Sequence, residues 1–397
     1  MIDLMQQGPA LSCVAAVFKV ASRCNLNCAY CYVYNKGDDG WRRQPPVMAR
    51  QTAITAINRL SEHCRAHAID HFEVIFHGGE PLLAGPEFFE VFVREATARM
   101  APETRITFTV QTNGISLTRD WARCFRRLGV KIGISIDGTA RSHDRMRVDH
   151  KGRGSYSRVV RGLDAARSEG LSPGILAVVD LAEDPIAVFE HLASLKPRLV
   201  DFLLPLATWD SPPERSSRTA YADWLITIFE LWLAAPVLPF RIRLFEQIVR
   251  TVLGFPRNYD ALGPGVNRTV VIETDGAIES VDVLRVCENG MTSRGYHVSE
   301  DSIDTALDDP LAQAYLFAAD RLCGTCQACR VRDICAGGYL PHRFRRSNGF
   351  DNPSVYCADL LKLISTVQDW AVRQVPADLR NDLDLRSLAP SPVGQEA

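Results

Sequence analysis

Between residues 14 and 206, short apolar runs alternate with stretches whose apolar residues recur every three or four positions. The runs at 15–20, 72–77, 106–112, 131–137, 174–179 and 200–206 read as strands, being short, β-branched or aromatic and bounded by turn residues. Between them, 49–65, 86–100, 119–128, 156–168 and 185–194 carry helical spacing. Strand–helix units repeated in this way predict an α/β fold in which a parallel sheet curls into a partial (β/α)6 barrel.

The pattern changes after the last of these strands. A Pro-rich stretch at 205–213 precedes one more helix, 221–235, and a connector then leads to a hairpin of 269–273 and 277–281 turned by Asp275-Gly276. Residues 323–357 are cysteine-rich and read as loop-dominated, and the final residues, with Pro390, Pro392 and Gly394, read as a disordered tail. The expected division is a barrel at 1–236, a connector at 237–266, a cysteine-rich domain at 267–375 and a tail at 376–397.

Length and charge narrow the class. A chain of 397 residues can bury a barrel-sized core and one smaller domain. A net charge of −2 gives no electrostatic case for nucleic acid or an acidic membrane. The start, Met1-Ile2-Asp3-Leu4-Met5, lacks the basic and apolar regions of a secretory signal, and no run reaches the ~18 apolar residues of a membrane span. With twelve cysteines bunched mainly at two places, metal ligation is expected over disulfides, and the cytoplasm is the expected address.

The first bunch is Cys24-x3-Cys28-x2-Cys31, directly after the first strand. Thiolates at short spacing suit an iron–sulfur cluster, and three thiolates for a four-iron [4Fe–4S] cluster leave one iron open. Zinc is the rival, although zinc loops usually pair C-x2-4-C with a second Cys or His pair. Each further motif also falls just after a strand, where a parallel barrel places its working loops.

The segment Arg23-Cys24-Asn25-Leu26-Asn27-Cys28-Ala29-Tyr30-Cys31-Tyr32 resembles the cluster loop of radical S-adenosylmethionine enzymes, including the aromatic Tyr30 before the third cysteine. The resemblance implies a radical SAM barrel of partial TIM-like form, S-adenosyl-L-methionine chelated at the open iron, a 5′-deoxyadenosyl radical that abstracts hydrogen, and an external electron donor of flavodoxin or ferredoxin type. His77-Gly78-Gly79-Glu80-Pro81 resembles the family's GGEP motif, which receives the cofactor's amino group. Gln111-Thr112-Asn113-Gly114 resembles its TNG segment, for which a plain Asn-Gly turn is an equal reading. Ser135, in Ser135-Ile136-Asp137-Gly138, is implied for the cofactor's ribose or carboxylate. Arg147 is implied for the carboxylate, with Arg145 as the alternative.

The second bunch, Cys323-x2-Cys326-x2-Cys329-x5-Cys335-x21-Cys357, resembles the SPASM extension of peptide-modifying members. Cys326, Cys329, Cys335 and Cys357 match the ligands of its outer auxiliary [4Fe–4S] cluster. Tyr339 and Val281 stand where the family has two ligands of an inner cluster, so two clusters in all are expected, and Cys287 and Cys323 fall outside both sets. Asp282 matches the position that serves as general base in sulfatase-maturing relatives; a solvated turn carboxylate is the alternative. The last third resembles single-auxiliary-cluster maturases of ribosomal precursor peptides, which implies a C–C crosslink between an aromatic ring and a nearby β-carbon, a cyclophane. The alternatives are an anaerobic sulfatase (formylglycine) maturase and a non-enzymatic iron–sulfur electron-transfer module.

Overall fold

The computed structural model describes residues 12–255 and 259–376. The first residues, with the signal-peptide reading, and nearly all of the expected tail lie outside the described residues. Two compact units are formed. One comprises the chain through Ile136 with His143–Pro173 and Asn267–Leu316; the other comprises Asp137–Ser142, Gly174–Val266 and the chain from Phe317 onwards.

The first unit begins with β1 (Ala15–Ala21), α1 (Arg50–Ala66), β2 (His71–Gly78), α2 (Pro86–Arg99), β3 (Arg105–Thr112), α3 (Arg119–Leu128) and β4 (Val130–Ser135). Each boundary has a local cause. Pro86 opens α2 at a position whose N–H would be unpaired anyway. Thr118 caps α3 by accepting from Trp121 N at 3.3 Å, and Gly129, left-handed at φ 68°, ends it. The strands pair in parallel, β1 with β2, β2 with β3 and β3 with β4. Beneath α2 and α3 lies an aromatic core in which Phe18 meets Phe92 at 4.8 Å, Phe76 meets Phe89 at 4.9 Å and Phe89 meets Phe125 at 5.2 Å.

Next in sequence come α4 (Ala140–Met146), α5 (Tyr156–Ser168), β5 (Gly174–Val178), α6 (Pro185–Ser194), β6 (Leu199–Leu203), α7 (Ala220–Ala234), β7 (Arg241–Ile242) and α8 (Arg243–Val252). Within the second unit β5, β6 and β7 are parallel neighbours. The expected connector therefore contains a short strand and a helix. Back in the first unit, β8 (Thr269–Ile272) pairs in parallel with β1, and β9 (Ile278–Glu279) folds back on β8 antiparallel. The expected hairpin is thus present and also extends the parallel sheet beside β1.

The cysteine-rich segment is more helical than expected. After α9 (Ile303–Leu307) and α10 (Pro310–Leu316) it holds two single turns, α11 (Gly324–Gln327) and α12 (Arg332–Cys335), and then the long α13 (Cys357–Gln374). That helix packs on α7 and α8, with Trp370 edge-on to Phe229 at 5.6 Å. No helix among the described residues is long and apolar enough to cross a membrane.

Candidate active site and auxiliary cysteine set

The loop after β1 is fastened before any ligand is considered. Arg23 donates to the carbonyls of Trp41 at 2.8 Å and Gln44 at 3.3 Å, while Asn27 N and Ala29 N bond to the carbonyls of Val148 and Met146 at 2.8 and 2.9 Å. Cys31 N donates to Cys28 O at 3.0 Å, which curls the three cysteines into one turn. The Cys24 sulfur accepts from Leu26 N at 3.4 Å and faces Asn113 Nδ2 at 3.7 Å. No cysteine of the chain is in a disulfide. Burial, Glu80 and the neighbouring Cys28 and Cys31 push the Cys24 thiol up to about 12. Three neighbouring sulfurs, with N–H donors aimed at Cys24 and Cys31, suit ligation to a cationic centre, where the thiolate form is the favoured one, so the donor set fits a cluster.

The loop after β2 is tied to this turn. Gly79 N donates to Ala21 O at 2.8 Å and Glu80 N to Arg23 O at 2.9 Å. A Cβ on Gly79 would lie 1.9 Å from Tyr34 Oη and 2.4 Å from Arg23 O, so only glycine allows this approach. Glu80 is fully buried; its carboxylate accepts from Leu82 N at 3.1 Å, Thr112 Oγ1 at 2.6 Å and Asn113 N at 2.8 Å. Those donors engage three of the roughly four lone-pair positions of a carboxylate.

The same carboxylate joins the ends of β2 and β3. Asn113 then reaches back to Asn25 Oδ1 at 2.7 Å, while its own Oδ1 accepts from Ile115 N, so it is both a turn residue and a neighbour of Cys24. Ser135, at the end of β4, accepts from Gln111 Nε2 at 3.0 Å. Arg147 is buried and donates to Tyr30 Oη at 2.5 Å, whereas Arg145 is exposed. The first unit thus brings Cys24, Cys28, Cys31, Tyr30, Gly78, Gly79, Glu80, Asn113, Ser135 and Arg147 to the ends of successive strands or the loops bonded to them.

Asp282 follows β9 and is buried, not a solvated turn residue. Lys19, from β1, and the Tyr32 hydroxyl both meet its Oδ2. Lys19 Nζ also contacts Tyr32 Oη at 3.0 Å and His77 Nδ1 at 3.1 Å. Burial alone would raise the Asp282 carboxyl, but Lys19 and the hydrogen bonds from Lys19 and Tyr32 hold it well below the usual carboxylate range. His77 is pushed down to about 3 by burial and by Lys19, and is neutral. Sequence reasoning missed Lys19, Tyr32 and His77. The available signal was a lysine inside the otherwise apolar Ala-Ala-Val-Phe-Lys-Val-Ala strand. A second convergence, His63, His67 and Asp304, forms a hydrogen-bonded set: His63 Nε2 accepts from Cys13 N, so its Nδ1–H is committed to Asp304 at 2.9 Å.

In the second unit Cys323, Cys326, Cys329, Cys335 and Cys357 act on one another. Cys326 is pushed up to about 12 by burial, by a hydrogen bond with Cys323 and by the charges of Cys323 and Cys357. Cys335 is raised by burial and by Cys357, Cys326 and Cys329. This set of mutually destabilising thiols again fits a cluster, with Cys323 as a fifth sulfur beside the four expected. Tyr339 lies edge-on to His342 at 5.6 Å, and Val281 is a buried apolar side chain. Neither offers a soft ligand.

Residues 18–185 match the Radical SAM superfamily. The chain is 22% identical over 346 residues to a cysteine-type anaerobic sulfatase-maturating enzyme of Clostridium novyi, covering 85% of this chain and 90% of that one. It is 26% identical over 336 residues to a serine-type anaerobic sulfatase-maturating enzyme of Klebsiella aerogenes, covering 81% and 78%. Among solved structures, anSMEcpe with bound AdoMet superposes with a TM-score of 0.79 at 19% identity over 91% of this chain and 98% of that one. Streptococcus suis SuiB bound to the precursor peptide SuiA gives 0.61 at 12% identity over 87% and 76%. The fold is therefore shared with these enzymes, as the expected α/β, partial TIM-like architecture requires. The match over residues 18–185 is to the Radical SAM superfamily, whose cofactors are S-adenosylmethionine and a [4Fe–4S] cluster, and the chain is an enzyme of that oxidoreductase type.

Proposed function

We propose that the chain oxidises a side chain of a peptide substrate at its β-carbon, with Cys24, Cys28 and Cys31 holding the catalytic cluster and Cys326, Cys329, Cys335 and Cys357 holding one auxiliary cluster. Tyr30, Gly78, Gly79, Glu80, Asn113, Ser135 and Arg147 would receive S-adenosylmethionine. When bound, these groups supply hydrogen-atom abstraction and a route for an electron. As three thiolates, Cys24, Cys28 and Cys31 would leave one iron of a four-iron cluster without a protein ligand. The remaining lone-pair position of Glu80 suits an ammonium, and the Arg147 guanidinium suits a carboxylate.

Asp282 is the chain's proton acceptor in this reading. Oxidation at a β-carbon removes one hydrogen as an atom and then one electron and one proton, and the proton needs a base beside the reacting carbon. The observation that carries the reading is that Asp282 is buried, ionised and held in place by Lys19 and Tyr32. A carboxylate secured in this way is in the proton-accepting form throughout the working pH range.

The sulfatase-maturating relatives favour formylglycine formation from a Cys or Ser substrate residue over the cyclophane expected from the last third of the sequence. The absence of thiols at Val281 and Tyr339 favours the crosslink as the second reading, because it separates the chain from the two-auxiliary-cluster pattern. Both reactions begin at the same C–H bond. The proposed partners are a peptide and an external flavodoxin- or ferredoxin-type donor, and the proposed address is the cytoplasm. Anaerobic turnover with β-deuterated peptides tests all of this. Deuterium should appear in 5′-deoxyadenosine, and the product should be either an aldehyde trapped by a hydrazide or a ring-linked peptide lighter by two hydrogens. Cofactor cleavage without deuterium transfer from either peptide class would overturn the proposal.

A further inference from the structure

Arg343 is a charged side chain enclosed in the second unit, with the residue about 1% exposed. Its guanidinium donates to three backbone carbonyls: Ala318 O at 2.7 Å, Phe350 O at 3.3 Å, and Arg321 O. Carbonyls satisfy its N–H groups but do not neutralise its charge. Among the described residues no carboxylate lies within ion-pair distance of it; Asp351, exposed, acts on it from farther away. A buried cation without a counter-ion is expensive, so the charge should be balanced by something else.

The cysteine set lies near enough to act on it. Cys326, Cys323 and Cys335 are the other groups that act on Arg343 electrostatically. The backbone is also built to admit it. Immediately after Cys335, Ala336, Gly337 and Gly338 are left-handed at φ 49°, 80° and 69°. A Cβ on Gly337 would lie 3.2 Å from Arg343 Nη1 and 2.8 Å from the Leu322 side chain, so glycine here lets the guanidinium lie against the Cys335 turn.

We propose that Arg343 is the built-in counter-charge of the auxiliary cluster and poises that cluster to accept an electron. This inference rests on the auxiliary-cluster assignment made above. A thiolate-ligated [4Fe–4S] cluster carries net negative charge that grows by one on reduction, so a fixed cation beside it stabilises the reduced form and raises its potential. Arg343 touches no substrate in this scheme. Its effect is on the electron that leaves the oxidised β-carbon.

The test uses full-length protein with Cys24, Cys28 and Cys31 all changed to Ala, so that the auxiliary cluster alone is titrated anaerobically and followed by electron paramagnetic resonance. Absence of iron and of any cluster signal in that background would sink the auxiliary assignment itself. With the cluster present, Arg343→Gln should shift the reduction equilibrium at least tenfold toward the oxidised form, 59 mV per tenfold for one electron. Arg343→Lys should shift it less than half as far. An unchanged potential in a cluster-bearing Gln protein would overturn the proposal. If the Gln protein does not hold iron, the Lys variant decides. Iron retained at the parent level supports the role of charge, whereas equal loss in both would leave Arg343 only a packing role.

Discussion

Lys19 and Asp282 are a buried pair whose value lies in the pairing. Each is surrounded by low-dielectric barrel interior, so removing one leaves the other as an uncompensated charge, a change that typically costs about 3–5 kcal/mol. Lys19→Met should therefore lower unfolding free energy by about that amount, and adding Asp282→Asn should restore much of it, because the charge left behind is also removed. Urea unfolding of the two single variants and the double variant reads this directly. The functional expectation separates from the structural one. Asp282→Asn should still yield reductant-dependent 5′-deoxyadenosine while product falls by about 10²–10⁴-fold. Product formed at the parent rate would remove Asp282 from the mechanism. The sequence pointed to Asp282 through its place after the hairpin, but its partners come from β1, the cluster loop and β2, about 200 residues or more away in sequence. Only the parallel pairing of β8 with β1 brings them together.

At the scale of elements, the interlocking loops rest on glycines whose replacement would act against ordinary propensity. Gly162 sits within α5, where Ala is normally favoured by about 1 kcal/mol. Here a Cβ would lie 2.2 Å from Gly114 O, in the turn that follows Asn113. Gly162→Ala should therefore destabilise by about 1–3 kcal/mol, lowering the thermal midpoint, where simple propensity would raise it. Six helices were legible from apolar spacing nearly to the residue, because their buried faces alone fix that spacing. Among the first six strands, β4 and β6 ended more than one residue earlier than read. β6 stops at Leu203 before Pro205, which lacks an N–H for pairing and restricts the residue before it. In the span read as β4's end, Asp137 instead turns its Oδ1 to Val178 N at 3.1 Å. The helix α8 was missed although Leu244, Phe245, Ile248 and Val252 have helical spacing. The segment directly follows the two-residue β7, and no capping side chain marks its start. Arg343 left no signal, since its burial depends on carbonyls from two separate loops.

For the whole molecule, the thiol inventory and the buried carboxylates make two independent predictions. Anaerobically reconstituted protein should bind about eight irons, consistent with two [4Fe–4S] clusters; about twelve would contradict the reading of Val281 and Tyr339. The second prediction concerns pH. Asp201, on β6 in the second unit, is buried with Oδ1 lacking a hydrogen-bond partner among the described residues, although Arg243 approaches Oδ2 at 3.4 Å. Burial pushes its carboxyl from 3.8 up to about 6, against the lowering effect of Arg243 and with Asp260 adding to the rise. A carboxyl raised in the folded state binds its proton more tightly there than in the unfolded chain. Its contribution to stability is full below about pH 4 and is lost as pH rises through about 6. The shift corresponds to roughly 2–3 kcal/mol. Asp282 has the opposite sign, stabilising above the ordinary carboxyl range and losing that contribution in acid, so it leaves the window between pH 4 and 6 to groups such as Asp201. Asp201→Asn should match the parent near pH 4 and exceed it in urea midpoint above pH 6, with a flatter pH profile between. Equal profiles for parent and variant would show that the Arg243 pair already compensates the buried charge.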